Sequence, residues 1–116
     1  MPAGYYSFIM EQGADFIRDI TYKDSAGALV NVTNYTARMD IRSSLSSSTS
    51  LISLTTENSR ILVTGVSGLF TWTLTAAETM ALNFNSGVYD FEIIDPFGEV
   101  ERLLQGKVTL SKEVTR

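Results

Sequence analysis

Residues 35–42 alternate without a slip. Tyr35, Ala37, Met39 and Ile41 fall on one side, and Thr36, Arg38, Asp40 and Arg42 on the other. A period of two places successive side chains on opposite faces of a strand, so this segment is a strand with one buried and one solvated face. We place it centrally in a sheet.

The segments around it are short and set off by turn residues. Residues 5–10 (YYSFIM) form a first strand at a sheet edge, interrupted by Gln12-Gly13. In residues 15–23, Phe16, Ile20 and Tyr22 share one face, with Asp15, Asp19, Thr21 and Lys23 opposite. Ile17 and Arg18 break that pattern, as residues at a bulge or sheet rim do. Asp24-Ser25-Ala26-Gly27 has turn chemistry. Residues 28–34 read as a brief extended segment, and the serine-rich residues 43–50 as a loop. Strands are expected at 51–54, 60–64 and 68–74, the last with Phe70, Trp72 and Leu74 in phase and forming a hairpin with its predecessor. Thr75-Ala76-Ala77-Glu78 is a capping box, predicting one or two helical turns to about Leu82. Residues 87–95, with Tyr89, Phe91 and Ile93 in phase, turn through Pro96-Phe97-Gly98 into a last strand over 99–111. In that strand Val100, Leu104, Val108 and Leu110 are in phase and Gly106 marks a bulge.

About seven short strands with one helical crossover indicate an all-β fold, an antiparallel immunoglobulin-like β-sandwich. The 116 residues suit a single domain, with residues 1–11 an edge strand or assembly arm. In such domains a corner tyrosine precedes the second core cysteine by two residues and bonds upstream backbone. Tyr89 and Phe91 occupy those two places.

Composition removes many chemistries. The chain has no cysteine and no histidine, so disulfides, thiolate metal sites and Ser-His or Cys-His catalysis are absent. A net charge of -4 disfavours nucleic acid and anionic lipid as partners. No apolar run approaches the about 20 residues that span a bilayer, and the start lacks the basic and apolar regions of a secretory signal.

The carboxylate pairs Asp15/Asp19, Asp90/Glu92 and Glu99/Glu101 read as solvated sheet faces. Asp24 lacks the companions of a calcium loop, and Gly106-Lys107 lacks the glycine spacing of a phosphate loop. Arg38 and Arg42 are expected to pair with carboxylates across strands, and Trp72 to lie in the core rather than serve as a sugar platform. No catalytic, cofactor or metal residue emerges, and no enzyme is expected. The candidate partner-binding residues are Tyr5, Tyr6, Phe8, Ile9 and Met10, an apolar strand that a small sandwich leaves uncovered and open to another chain.

Several stretches then carry a family resemblance. Gln12-Gly13-Ala14-Asp15-Phe16, Thr21-Tyr22-Lys23-Asp24-Ser25-Ala26-Gly27 and Val32-Thr33-Asn34-Tyr35-Thr36-Ala37-Arg38-Met39-Asp40-Ile41-Arg42 resemble small immunoglobulin-like virion structural proteins of tailed bacteriophages. Thr55-Thr56-Glu57-Asn58, Leu74-Thr75-Ala76, Gly87-Val88-Tyr89-Asp90-Phe91-Glu92, Gly106-Lys107-Val108 and Val114-Thr115-Arg116 extend the likeness over nearly the whole chain. It is also distantly similar to the N-terminal domain of phage upper-baseplate proteins. Asn34 departs from the usual glycine but tolerates left-handed φ. The resemblance implies a non-enzymatic virion part, made in the host bacterial cytoplasm and oligomeric within the particle. Its partners would be other virion proteins of the tail, baseplate or fibre region, or the major capsid protein if it decorates the capsid. A host-surface carbohydrate-binding module is the alternative of another class. Pairing is expected through residues 5–10 and the last strand, with deletion of residues 1–10 leaving the domain folded.

Overall fold

The computed structural model describes residues 4–112. Within them the chain runs β1 (Gly4–Tyr5), β2 (Phe8–Glu11), β3 (Phe16–Thr21), β4 (Thr36–Arg42), β5 (Ile52–Thr55), β6 (Ile61–Thr64), a 3-10 turn (Gly65–Ser67), β7 (Leu69–Leu74), α1 (Ala76–Met80), β8 (Ser86–Ile94) and β9 (Val100–Ser111). The resemblance residues Val114, Thr115 and Arg116 lie outside the described residues.

The fold is an all-β, immunoglobulin-like sandwich. One sheet has the order β1-β9-β8-β4-β5, with β2 following β1 along β9, and the other has the order β3-β7-β6. The alternation in residues 35–42 is borne out: Ala37, Met39 and Ile41 are buried, and β4 lies between β5 and β8. Asn34 takes the left-handed conformation at φ 66°, as the turn before β4 requires. Residues 28–34 form no strand, only an isolated bridge between Lys23 and Leu29.

The sheets are not antiparallel throughout. Both β1 and β2 run parallel to β9, with Gly4 opposite Leu104 and Phe8 opposite Val108. A parallel pair needs a long connection, and the whole domain intervenes between these two strands. The position beside β3 that strand A takes in a constant-type immunoglobulin sheet is therefore empty among the described residues.

The expected bulge is displaced. Register slips between Phe91 and Glu92, which oppose Leu104 and Arg102, leaving Leu103 as the extra residue. One inserted residue reverses which side chains face inward, so Val100 is out of phase with Leu104 and stands exposed. Gly106 instead permits close approach: a Cβ there would collide with the Tyr6 carbonyl.

The core is aromatic. Trp72 is fully buried and meets Tyr89 and Phe91 edge-on, at ring separations of 5.8 and 5.1 Å. Phe8 packs against Phe16, Trp72 and Tyr89. Tyr89 bonds upstream backbone, but not at the corner. Its hydroxyl donates to the Tyr6 carbonyl 83 residues earlier, and so ties β8 to the N-terminal strand.

The capping box is present in full, with Thr75 and Glu78 exchanging hydrogen bonds, and Glu78 also pairs with Arg60 at 2.7 Å. The helix stops at Met80, short of Leu82. Its buried Thr79 hydroxyl accepts from the Gly13 amide at 3.0 Å and donates to the Ala14 carbonyl at 2.8 Å. Gln12 Nε2 reaches the Leu82 carbonyl and Asp15 Oδ1 accepts from the Ala76 amide. These four contacts fasten the β2–β3 connection to the crossover and set where β3 begins.

Candidate functional site

The Tyr22 amide donates to the Gly68 carbonyl at 2.7 Å, which sets the parity of the β3–β7 ladder. Even-numbered residues of β3 bond to β7, so the amides and carbonyls of Ile17, Asp19 and Thr21 point away from it. No strand among the described residues pairs with that side. It is an open edge, the kind of backbone row that accepts another chain.

Arg18 explains the break in alternation seen in the sequence. Its side chain lies at the rim between the two sheets, with the guanidinium carbon 4.9 Å from the Phe16 ring centroid. Nη1 donates to the Ile17 carbonyl at 3.0 Å and Nη2 to the Ile9 carbonyl at 3.3 Å. One side chain thus caps an edge carbonyl of each sheet. Ile9 and Ile17 flank it, 59% and 58% exposed.

The five residues selected from the sequence divide by strand geometry. Tyr5 and Ile9 are exposed and Tyr6 is half-buried, whereas Phe8 and Met10 point into the core. Alternation along β2 makes this inevitable: an apolar strand lying on a sandwich edge turns every second residue inward. Phe8 and Met10 are therefore unavailable to a partner. The last strand is not an edge either, since β9 lies between β8 and β1/β2. Loss of residues 1–10 would strip the core residues Phe8 and Met10 along with edge residues, which argues against the expectation that the truncated domain stays folded. Ile17 and the β3 edge were missed, and the period break at Ile17 and Arg18 was their signal.

The outer face of the larger sheet is charged and self-neutralised. Arg38 pairs with Glu92 at 2.8 Å, Arg42 with Asp40 at 3.1 Å and Arg102 with Asp90 at 3.4 Å. Arg38 makes the cross-strand pair expected of it, whereas Arg42, expected to do the same, pairs along its own strand; the Arg102–Asp90 pair across β8 and β9 was not foreseen. Asp40 and Asp90 stand directly opposite each other. Burial alone would raise the Asp40 carboxyl, but hydrogen bonds from Ser53 and Arg42 outweigh it and hold it low. Asp90 is pushed up by burial and by neighbouring Glu92. A cleft of about 610 Å³ opens on this face, lined by Asp40, Arg42, Asp90, Glu92 and Arg102 together with Tyr5, Leu45 and Val88. Near the β8–β9 turn, Tyr22 donates to Glu101 at 2.6 Å, which together with burial raises the phenol to about 12.

Other candidates are engaged in structure. Asp24 Oδ1 accepts from the Ala26 and Ala28 amides, closing its turn, and Asp19 accepts from the Thr71 hydroxyl. Among the described residues no three carboxylates converge to hold a metal ion. Trp72 is buried, as expected, and offers no face to a sugar.

No family model matches the chain, and no curated protein matches it. Among solved structures, one similar chain comprises extracellular domains 3-5 of Drosophila OTK, with 14% sequence identity and a TM-score of 0.37. The likeness covers 94% of this chain and 33% of that one, so this chain spans about a third of its neighbour's length.

Proposed function

We propose that this domain is a non-enzymatic structural component of a tailed-phage particle, bound to other virion proteins through strand edges in the tail, baseplate or fibre-attachment region. The sequence resemblance supplies the setting. The observation that supports the binding mode is the β3 edge that no strand covers among the described residues, where the backbone of Ile17, Asp19 and Thr21 faces outward beside exposed Ile17 and Ile9, with only the Ile17 carbonyl capped, by Arg18.

The central self-pairing registers disfavour a second copy as the partner. Pairing β3 with a second copy about a twofold axis at its middle sets Asp19 against Asp19 or Arg18 against Arg18, and directly opposed like charges destabilise a ladder. A strand with an apolar residue near Ile17 and a basic one near Asp19 has no such conflict. Quantitative mass spectrometry of purified particles tests the reading. About a few dozen copies or fewer indicate the tail, and copies on the order of hundreds indicate capsid decoration. Absence from the particle overturns the proposal.

A further inference from the structure

Phe97 is 91% exposed at the tip of the β8–β9 turn, and the backbone of that turn is densely hydrogen-bonded. The Asp95 amide donates to the Glu99 carbonyl and the Gly98 amide to the Asp95 carbonyl, both at 3.0 Å. Asp95 Oδ1 accepts from the Phe97 and Glu99 amides, both at 2.9 Å. Pro96 restricts φ within the turn, and Gly98 takes φ 88°, which other residues rarely adopt. Folding gains nothing from holding a hydrated phenyl ring on so well-determined a support. Binding does, because a turn backbone fixed in advance leaves only the side-chain torsions of Phe97 to be ordered when it docks.

The surroundings restrict what could receive it. Residues 95–101 carry Asp95, Glu99 and Glu101, and the neighbouring Arg102 is paired with Asp90, so the tip is net acidic and is repelled by an anionic bilayer. A sugar needs polar groups converging beside the ring, but the polar cleft at this end of the sheet, lined by Tyr22, Asp95, Glu99 and Glu101, does not have Phe97 among its walls, and Tyr22 and Glu101 there are already bonded to each other. The cleft on a second copy carries Asp40, Asp90 and Glu92 beside its Arg42, Arg102 and Lys107, and so offers no net complement to an acidic tip.

We propose that the β8–β9 turn is a docking tip, whose Phe97 enters an apolar pocket on another protein with lysine or arginine at the rim facing Asp95 and Glu99. This contact is separate from the β3 edge and does not rest on the virion reading.

The test replaces Phe97 with the photoreactive p-benzoylphenylalanine in the full chain, irradiates the cells or particles in which the chain is made, and maps the adducts by mass spectrometry. The expected result is one site on one protein, at apolar residues with lysine or arginine alongside. Phe97→Ala should then weaken binding of that purified protein by at least about 30-fold, the scale of a hot-spot residue, without moving the thermal midpoint of the free domain. Glu99→Lys should weaken it several-fold at low salt, with the difference shrinking as salt rises. Adducts that scatter, that fall on lipid, glycan or a second copy, or that do not form would overturn the proposal. So would a Phe97→Ala domain that binds as tightly as the unsubstituted one.

Discussion

The Arg18 guanidinium donates to the Ile9 carbonyl across the rim of the sandwich, at 3.3 Å, while its other terminal nitrogen holds the Ile17 carbonyl at 3.0 Å. This contact joins β2 of one sheet to β3 of the other, where no strand covers either. A charged residue placed on an edge in this way blunts unwanted pairing, since an incoming strand must first displace it.

Arg18→Ala should therefore make the free domain sticky. Two edge carbonyls lose their donor, and the opposition of two arginines in one self-pairing register disappears. Sedimentation velocity is expected to show concentration-dependent dimers that the unsubstituted domain lacks at the same concentration. A monomer at all concentrations would mean that Arg18 does not guard the edge.

The two faces of β2 should respond very differently to truncation. Met10 is fully buried, and Met10→Ala should cost about 2–5 kcal/mol in urea unfolding. Tyr5 is 68% exposed, and Tyr5→Ala should change stability by under about 0.5 kcal/mol. Deleting residues 1–10 removes Phe8 and Met10 together and uncovers β9, a loss comparable with the whole stability of a domain this size. Circular dichroism should find that truncated chain unfolded.

Tyr89→Phe removes the donor that serves the Tyr6 carbonyl. An unsatisfied, partly buried carbonyl costs about 1–3 kcal/mol, so the denaturation midpoint should fall with little change in slope. Thr79→Val should act similarly, because its hydroxyl joins the Gly13 amide and the Ala14 carbonyl to the crossover helix.

Asp40 and Asp90 face each other with opposite responses to pH. Asp90 is raised in the folded state, chiefly by burial, so its charge opposes folding above its folded pKa and the penalty fades as the pH falls through that value. Asp90→Asn should raise stability at neutral pH, by under about 1 kcal/mol because the site is partly solvated. Asp40 is depressed because its hydrogen bonds outweigh its burial, so its contribution is present above the ordinary carboxyl range of about 4 and is lost as the pH falls through the folded value. Asp40→Asn should lower stability at neutral pH, with the deficit closing in acid. Melting temperatures of both variants across acidic to neutral pH check the two signs together.

The sheets were legible because their strands alternate cleanly. β4, β7 and β8 were read in phase from Ala37-Met39-Ile41, Phe70-Trp72-Leu74 and Tyr89-Phe91-Ile93, and the capping box marked the crossover. Alternation says which way a side chain points but not which strand lies alongside. For that reason the parallel pairing of β2 with β9 was not legible, and neither was the consequence that β3 is left open. The bulge at Leu103 was hidden for a related reason: without the partner strand, a slip in register looks like an ordinary apolar pair, Leu103-Leu104. Burial of Phe8 and Met10 could have been inferred from their spacing, but an apolar run near a terminus suggested a surface more strongly than a face.

If β3 receives a strand from another virion protein, as proposed, amide hydrogen exchange at Ile17, Asp19 and Thr21 reads that pairing residue by residue. In the free domain these outward amides should exchange at rates close to those of exposed backbone, while their even-numbered neighbours are protected by β7. In intact particles all three should become protected, Asp19 and Thr21 most strongly. Equal exchange of the three amides in the free domain and in the particle would mean that no strand pairs with this edge.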